Sequence, residues 1–104
     1  MEIKVLDSNV NYYKESENIH VLAFGKMQQH SEAKTRIKLE GVSNHTMLST
    51  CGCSVALAEG ENTYSVKYNN TDIPAPFSKV FILKYTEDNK NKQDQIKITG
   101  NIIR

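Results

Sequence analysis

The sequence predicts an all-β fold, an immunoglobulin-like β-sandwich of about seven antiparallel strands. Three observations carry that reading. Apolar residues alternate with polar ones at period two along most of the chain, and no segment carries a helical stripe. Clusters of turn-forming residues separate the alternating stretches at regular spacing. The 104 residues suit one core rather than two.

The elements follow in order. Met1 to Leu6 alternates, with Ile3 and Val5 on one side. Residues 7–18, "DSNVNYYKESEN", are the least regular stretch and read as a loop or a short strand around Val10 and Tyr12. Ile19 to Phe24 is a strand that Gly25 is expected to end. Lys34 to Glu40 places Thr35, Ile37 and Leu39 on one face and four charged residues on the other, the pattern of a sheet with one wet face. Met47 to Val55 reads as one strand, "EGEN" (59–62) as a turn, and Thr63 to Tyr68 as a strand with Tyr64, Val66 and Tyr68 on one side. Two prolines make 69–76 a long connection. Phe77 to Tyr85 is the most apolar strand, with Phe81, Ile82 and Leu83 expected to be covered on both faces. After the polar hairpin loop 86–93, Ile96, Ile98, Ile102 and Ile103 belong to a closing strand, with Gly100 a bulge or kink. The organisation expected is a single domain, with 1–18 as an N-terminal strand and candidate docking element and 19–104 as the sandwich. Tryptophan is absent, so the Cys…Trp…Cys signature of antibody domains is excluded.

Thirteen basic residues against twelve acidic leave a net charge of +1. That balance gives no electrostatic footprint for DNA or RNA, so no nucleic-acid partner is expected. No apolar run is long enough to cross a bilayer, so no membrane insertion is expected either. The first residues lack the charged-then-apolar layout of a secretory signal, which leads to the expectation that the chain works where it is made. Two cysteines in a reducing compartment are then expected as free thiols.

Both cysteines lie in "LSTCGCSV", residues 48–55. On a strand, Cys51 and Cys53 would face the same side about 6.5 Å apart, with parallel rather than converging Cβ vectors. A bridge would need Gly52 to bend the chain. Two thiolates are half of a zinc site, and His45 and Met47 just upstream complete the one ligand set worth weighing, suited to Cu(I). The reading preferred is a pair of packed thiols, with Gly52 letting another backbone approach, and hence no metal and no cofactor. His20, His30 and His45 are dispersed and are expected as surface or partly buried residues, with no nucleophile–base pair among them. Acidic residues fall mostly in turns, and the sequons at Asn44 and Asn69 are turn chemistry without a secretory route. Tyr64, Tyr68 and Tyr85 fit the core pattern, whereas Tyr12 and Tyr13 are the candidate partner-binding residues.

Read from Phe24, the chain gives "FGK", the alternating "AKTRIKLEGVSN", "LSTCGCSV", "EGENTYSVKYN", "FSKVFILKY" and a terminal "IKITGNI". In this order, over residues 24–103, it resembles the bacterial Cys-Gly-Cys immunoglobulin-like family, domain of unknown function 1573. The most specific part is Thr50-Cys51-Gly52-Cys53-Ser54, followed by Gly60-Glu61. The resemblance implies an immunoglobulin-like sandwich and no particular activity.

The function expected is therefore non-enzymatic: a structural or interaction module, accessory to a larger assembly. Small size, the missing signal and a lysine-, asparagine- and isoleucine-rich composition point to a bacteriophage virion. There it would decorate the capsid or join the tail, with major capsid or tail proteins as partners, and reside in the virion or in the host cytoplasm during assembly. The alternative is a bacterial envelope or cytoplasmic domain that uses Cys51 and Cys53 for copper binding or redox work.

Overall fold

The computed structural model describes residues 1–104. It contains nine strands and no helix: β1 (Glu2–Val5), β2 (Asn11–Ser16), β3 (Ile19–Gln28), β4 (Ala33–Glu40), β5 (Ser43–Ser49), β6 (Ser54–Ala58), β7 (Thr63–Tyr68), β8 (Pro76–Glu87) and β9 (Lys90–Ile103). They form a four-stranded sheet in the order β1-β4-β7-β6 and a five-stranded sheet in the order β2-β3-β9-β8-β5. The first order is the A-B-E-D sheet of an immunoglobulin domain, and β5-β8-β9 supply its C-F-G strands. The fold is an immunoglobulin-like β-sandwich, with β2 and β3 as an added hairpin on the second sheet.

The two strands beyond the expected number come from identifiable places. β2 was hidden because its residues, "NYYKES", have one inward-facing apolar side chain and therefore no alternation to read. Residues 47–55 are not one strand, because the chain leaves the five-stranded sheet after Ser49 and enters the four-stranded sheet at Ser54. One pairing also departs from the all-antiparallel expectation: β3 runs parallel to β9. The β2–β3 hairpin reverses the chain once before β3 reaches β9, which sets that direction.

Gly25 does not end β3. The register moves from Ala23↔Thr99 to Lys26↔Asn101, so Phe24 and Gly25 together oppose Gly100. Gly25 has φ of +70°, which makes this a bulge on β3, and the strand continues beyond it. The kink expected at Gly100 therefore lies on its partner strand.

The core is the space between the sheets. β4 contributes Ala33, Thr35, Ile37 and Leu39 in strict alternation, as its sequence pattern predicts. Across from them lie Leu22, Phe24, Phe81, Leu83, Ile96 and Ile98 from the five-stranded sheet. Phe81 and Leu83 are fully buried, whereas Ile82 between them is only half-buried on the outer face, so β8 is covered on one face rather than both. At one end Phe77 stacks on Tyr68 with ring centroids 4.0 Å apart. Thr35 is the polar exception in this layer, because its Oγ1 is buried with no hydrogen-bond partner. An orphaned hydroxyl costs about 1–3 kcal/mol, and valine has nearly the same shape. Thr35→Val is therefore expected to stabilise the fold by about 1 kcal/mol, read as an upward shift of Tm by roughly 4–8 °C. A loss of stability on this substitution would show that the hydroxyl is satisfied.

Candidate functional site

The most elaborate polar arrangement is a buried row on the core face of the five-stranded sheet. It runs from Tyr12 on β2 through His20 on β3 and Asp94 on β9 to Tyr85 on β8. These strands are neighbours, and the four side chains share the inward face, which brings residues 74 positions apart into contact. His20 Nε2 lies 2.6 Å from Asp94 Oδ2, and His20 Nδ1 lies 2.8 Å from the Tyr12 hydroxyl. The Tyr85 hydroxyl donates to Asp94 Oδ1 at 3.0 Å. An ionised carboxylate only accepts, so Nε2–H donates to Asp94, and Nδ1 shares the remaining hydrogen bond with the Tyr12 hydroxyl. Every member is then satisfied.

The row has the geometry of a relay but ends on phenols held in their neutral form. Burial, and then the charge of Asp94, pushes the Tyr12 phenol above its ordinary value. Burial, and then the hydrogen bond to Asp94, pushes Tyr85 up more strongly. A recess of about 360 Å³ opens beside the row, with Lys14, Glu17, His20, Lys92 and Asp94 among its walls and no Ser, Thr or Cys lining it. The row joins four neighbouring strands at one end of the core through side-chain hydrogen bonds, the arrangement of a latch.

His20 is thus 1% exposed, fully buried where a surface or partly buried position was expected. Only a parallel pairing of β3 with β9 could reveal its partner, and sequence spacing carries no sign of that. His30 does lie exposed in a turn, against Asp72. His45 is half-buried on β5, with Nδ1 2.7 Å from the Tyr64 hydroxyl and Nε2 2.6 Å from Asn62 Oδ1. It ties the two sheets together.

The ligand set weighed above is not assembled. Both nitrogens of His45 are occupied, Met47 is buried in the core, and Cys51 and Cys53 form a disulfide. The expectation of free, packed thiols is corrected here, and the reason is local. Cys-Gly-Cys is not in a strand but in the corner between β5 and β6, where the backbone turns and the Cα atoms lie 5.4 Å apart. The Ser49 hydroxyl braces that turn: its oxygen lies 2.6 Å from the carbonyl of Cys51 and 2.7 Å from that of Ser54, so its one proton is placed between the two acceptors. Gly52 sits in open space, so no neighbouring backbone requires a glycine there. The bridge closes a ring of three residues, for which chain entropy supplies about 1.5 kcal/mol. Cys51→Ser with Cys53→Ser should lower unfolding free energy by that amount at most, and a thiol titration of the unfolded wild-type chain should find no free sulfhydryl.

Of the two tyrosines expected at a partner contact, Tyr12 faces inward, into the row just described. Tyr13 is on the outer face and 46% exposed, in register with Val21, which the Lys97–Glu15 ion pair spans from the other side. Residues 1–18 are built into both sheets: β1 pairs with β4 and β2 pairs with β3.

A different surface stands out. β5 and β6 are the open edges of the two sheets on one flank, joined by the disulfide corner. From Gly41 to Ala58 there is no Asp, Glu, Lys or Arg, in a chain with 24% charged residues. The edges on the opposite flank, β1 and β2, carry Glu2, Lys4, Lys14 and Glu15. Leu48 on β5 is 48% exposed, directly opposite Ile82, and Leu57 on β6 is 59% exposed. Charges on an edge strand discourage pairing with another chain, and this flank has none. The signal was present in the sequence as an uncharged run bounded by Glu40 and Glu59, but only the strand order shows that the run is two edges side by side.

No family model matches the chain, and no curated protein matches it. Among solved structures it is similar to the crystal structure of titin M3 domain, with 10% identity, 91% of this chain and 97% of that chain covered, and a TM-score of 0.44.

Proposed function

We propose that the chain is a non-enzymatic interaction module, an accessory subunit that docks in a larger assembly through the β5–β6 flank. The observation that carries this reading is the pairing of two uncharged sheet edges on one flank. The assembly that size and composition favour is a bacteriophage particle, with the chain bound to its capsid or tail proteins. Repeated weak contacts on such a lattice sum to firm attachment. Under this reading the N-terminal strands are scaffold and the flank is the docking element.

The test is co-sedimentation of the purified chain with phage particles that lack it. Wild type is expected to pellet with the particles, and a variant with Leu48→Lys and Leu57→Lys is expected to bind at least tenfold less. Cys51→Ser with Cys53→Ser should bind as wild type, whereas a domain working through copper or thiol exchange would lose its function. Equal binding of wild type and the lysine variant would overturn the assignment of the flank, and no binding by wild type would overturn the particle.

A further inference from the structure

Two features of the flank have no use for a partner that offers a single strand. First, neither edge is long. The register of β5 shifts between Ser43 and Thr46, where Asn44 has φ of +49°, so its regular ladder is Thr46–Ser49, and β6 adds Ser54–Ala58. A four-residue or five-residue ladder is small beside the roughly 1,200 Å² that a stable interface buries. Second, both edges are uncharged, although pairing at one would require only that one to be.

We infer that the β5–β6 flank takes the same flank of a second copy. This rests on the reading of the flank as the docking surface and names its occupant as a second copy: on an assembly, neighbouring copies would be joined flank to flank. The lysine variant would then lose the particle through lost pairing between neighbours rather than through a lost contact with a capsid or tail protein. The sheets of an aligned sandwich differ in direction by only about 30°. A two-fold axis roughly normal to them therefore sets β5 antiparallel to its counterpart and, at the same time, β6 antiparallel to its own. Such an interface is isologous: residue i meets residue j and j meets i, and only residues at the axis meet their own kind. A charge at the axis would bring like charges together, which is destabilising, whereas an uncharged edge carries no such penalty wherever the axis falls. A second copy supplies two uncharged edges at the right spacing. Leu48 and Leu57, each on the outer face beside its edge, would then be covered across the seam.

The mass of the full chain in solution tests this, by sedimentation equilibrium over a wide concentration range. Wild type should move from 11.8 kDa towards twice that value as concentration rises. A variant carrying Leu48→Lys and Leu57→Lys, and another carrying Leu48→Glu and Leu57→Glu, should each dimerise at least tenfold more weakly. Both sites face solvent, so an unchanged Tm would show that the fold is intact. An equimolar mixture of the two variants should regain the dimer, because opposite charges then meet across the axis. That rescue requires self-pairing. A wild type that stays monomeric, or charged variants that dimerise like wild type, would overturn the inference. A monomeric wild type that still binds particles through Leu48 and Leu57 would overturn it while leaving the docking function standing.

Discussion

Asp94→Ala is expected to destabilise the protein by about 3 kcal/mol, lowering Tm by roughly 12–24 °C. Asp94 is 4% exposed and accepts from both His20 Nε2 and the Tyr85 hydroxyl. Its removal leaves two buried donors without the acceptor they share, and an orphaned buried donor costs about 1–3 kcal/mol. Tyr85→Phe removes one donor together with its need for a partner and leaves Asp94 bonded to His20, so it should cost less than half as much. The phenol gives an independent reading. Tyr85 is raised above its ordinary value of 10.0 chiefly by burial and next by the Asp94 hydrogen bond. Its folded form therefore holds the proton longer than the unfolded chain does. The stabilisation linked to it is complete below pH 10.0 and is lost as pH rises beyond, when the unfolded phenol ionises first. In Asp94→Ala, the phenolate absorbance of Tyr85 should appear at lower pH than in wild type, while burial still keeps it above an exposed tyrosine. An Asp94→Ala protein as stable as wild type would show that the row is not a latch.

Gly100→Ala should cost about 2 kcal/mol, a large effect for one methyl group. A Cβ at Gly100 would lie 2.5 Å from Phe77 Cε1 and 2.7 Å from Cζ. The ring cannot move aside freely, since it stacks on Tyr68 at 4.0 Å and lies against Phe24 at 6.4 Å. The methyl must displace a packed aromatic rather than a flexible chain end. A double-mutant cycle with Phe77→Leu checks the cause, because the smaller side chain makes room. Urea unfolding of the four proteins should show that Gly100→Ala costs markedly less in the Phe77→Leu background, a coupling of about 1 kcal/mol or more. An equal cost in both backgrounds would locate the penalty in the backbone instead.

These two sites mark different limits of the sequence. The alternation at Thr35, Ile37 and Leu39, and at Tyr64, Val66 and Tyr68, follows from the two-residue period of a strand, so inward faces could be read directly. The same rule failed for β2, an edge strand with little to bury, and for residues 47–55, where polar residues of a corner continue the alternation by accident. Gly100 was legible as an anomaly, but its neighbour Phe77 was not.

By itself the sequence determined that the chain is an all-β sandwich, which apolar residues of β4 and β7 face the core, and that the stretch from Gly41 to Ala58 is free of charge. These are local properties, fixed by side-chain period and composition. The tertiary structure alone decided that Asp94 meets His20 and Tyr85, that Cys51 and Cys53 bend into a disulfide, and that the uncharged run becomes two adjacent open edges. Such facts depend on which strands pair and where the chain changes sheet. A repeating alternation is the same in every partner and register, so it cannot choose among them.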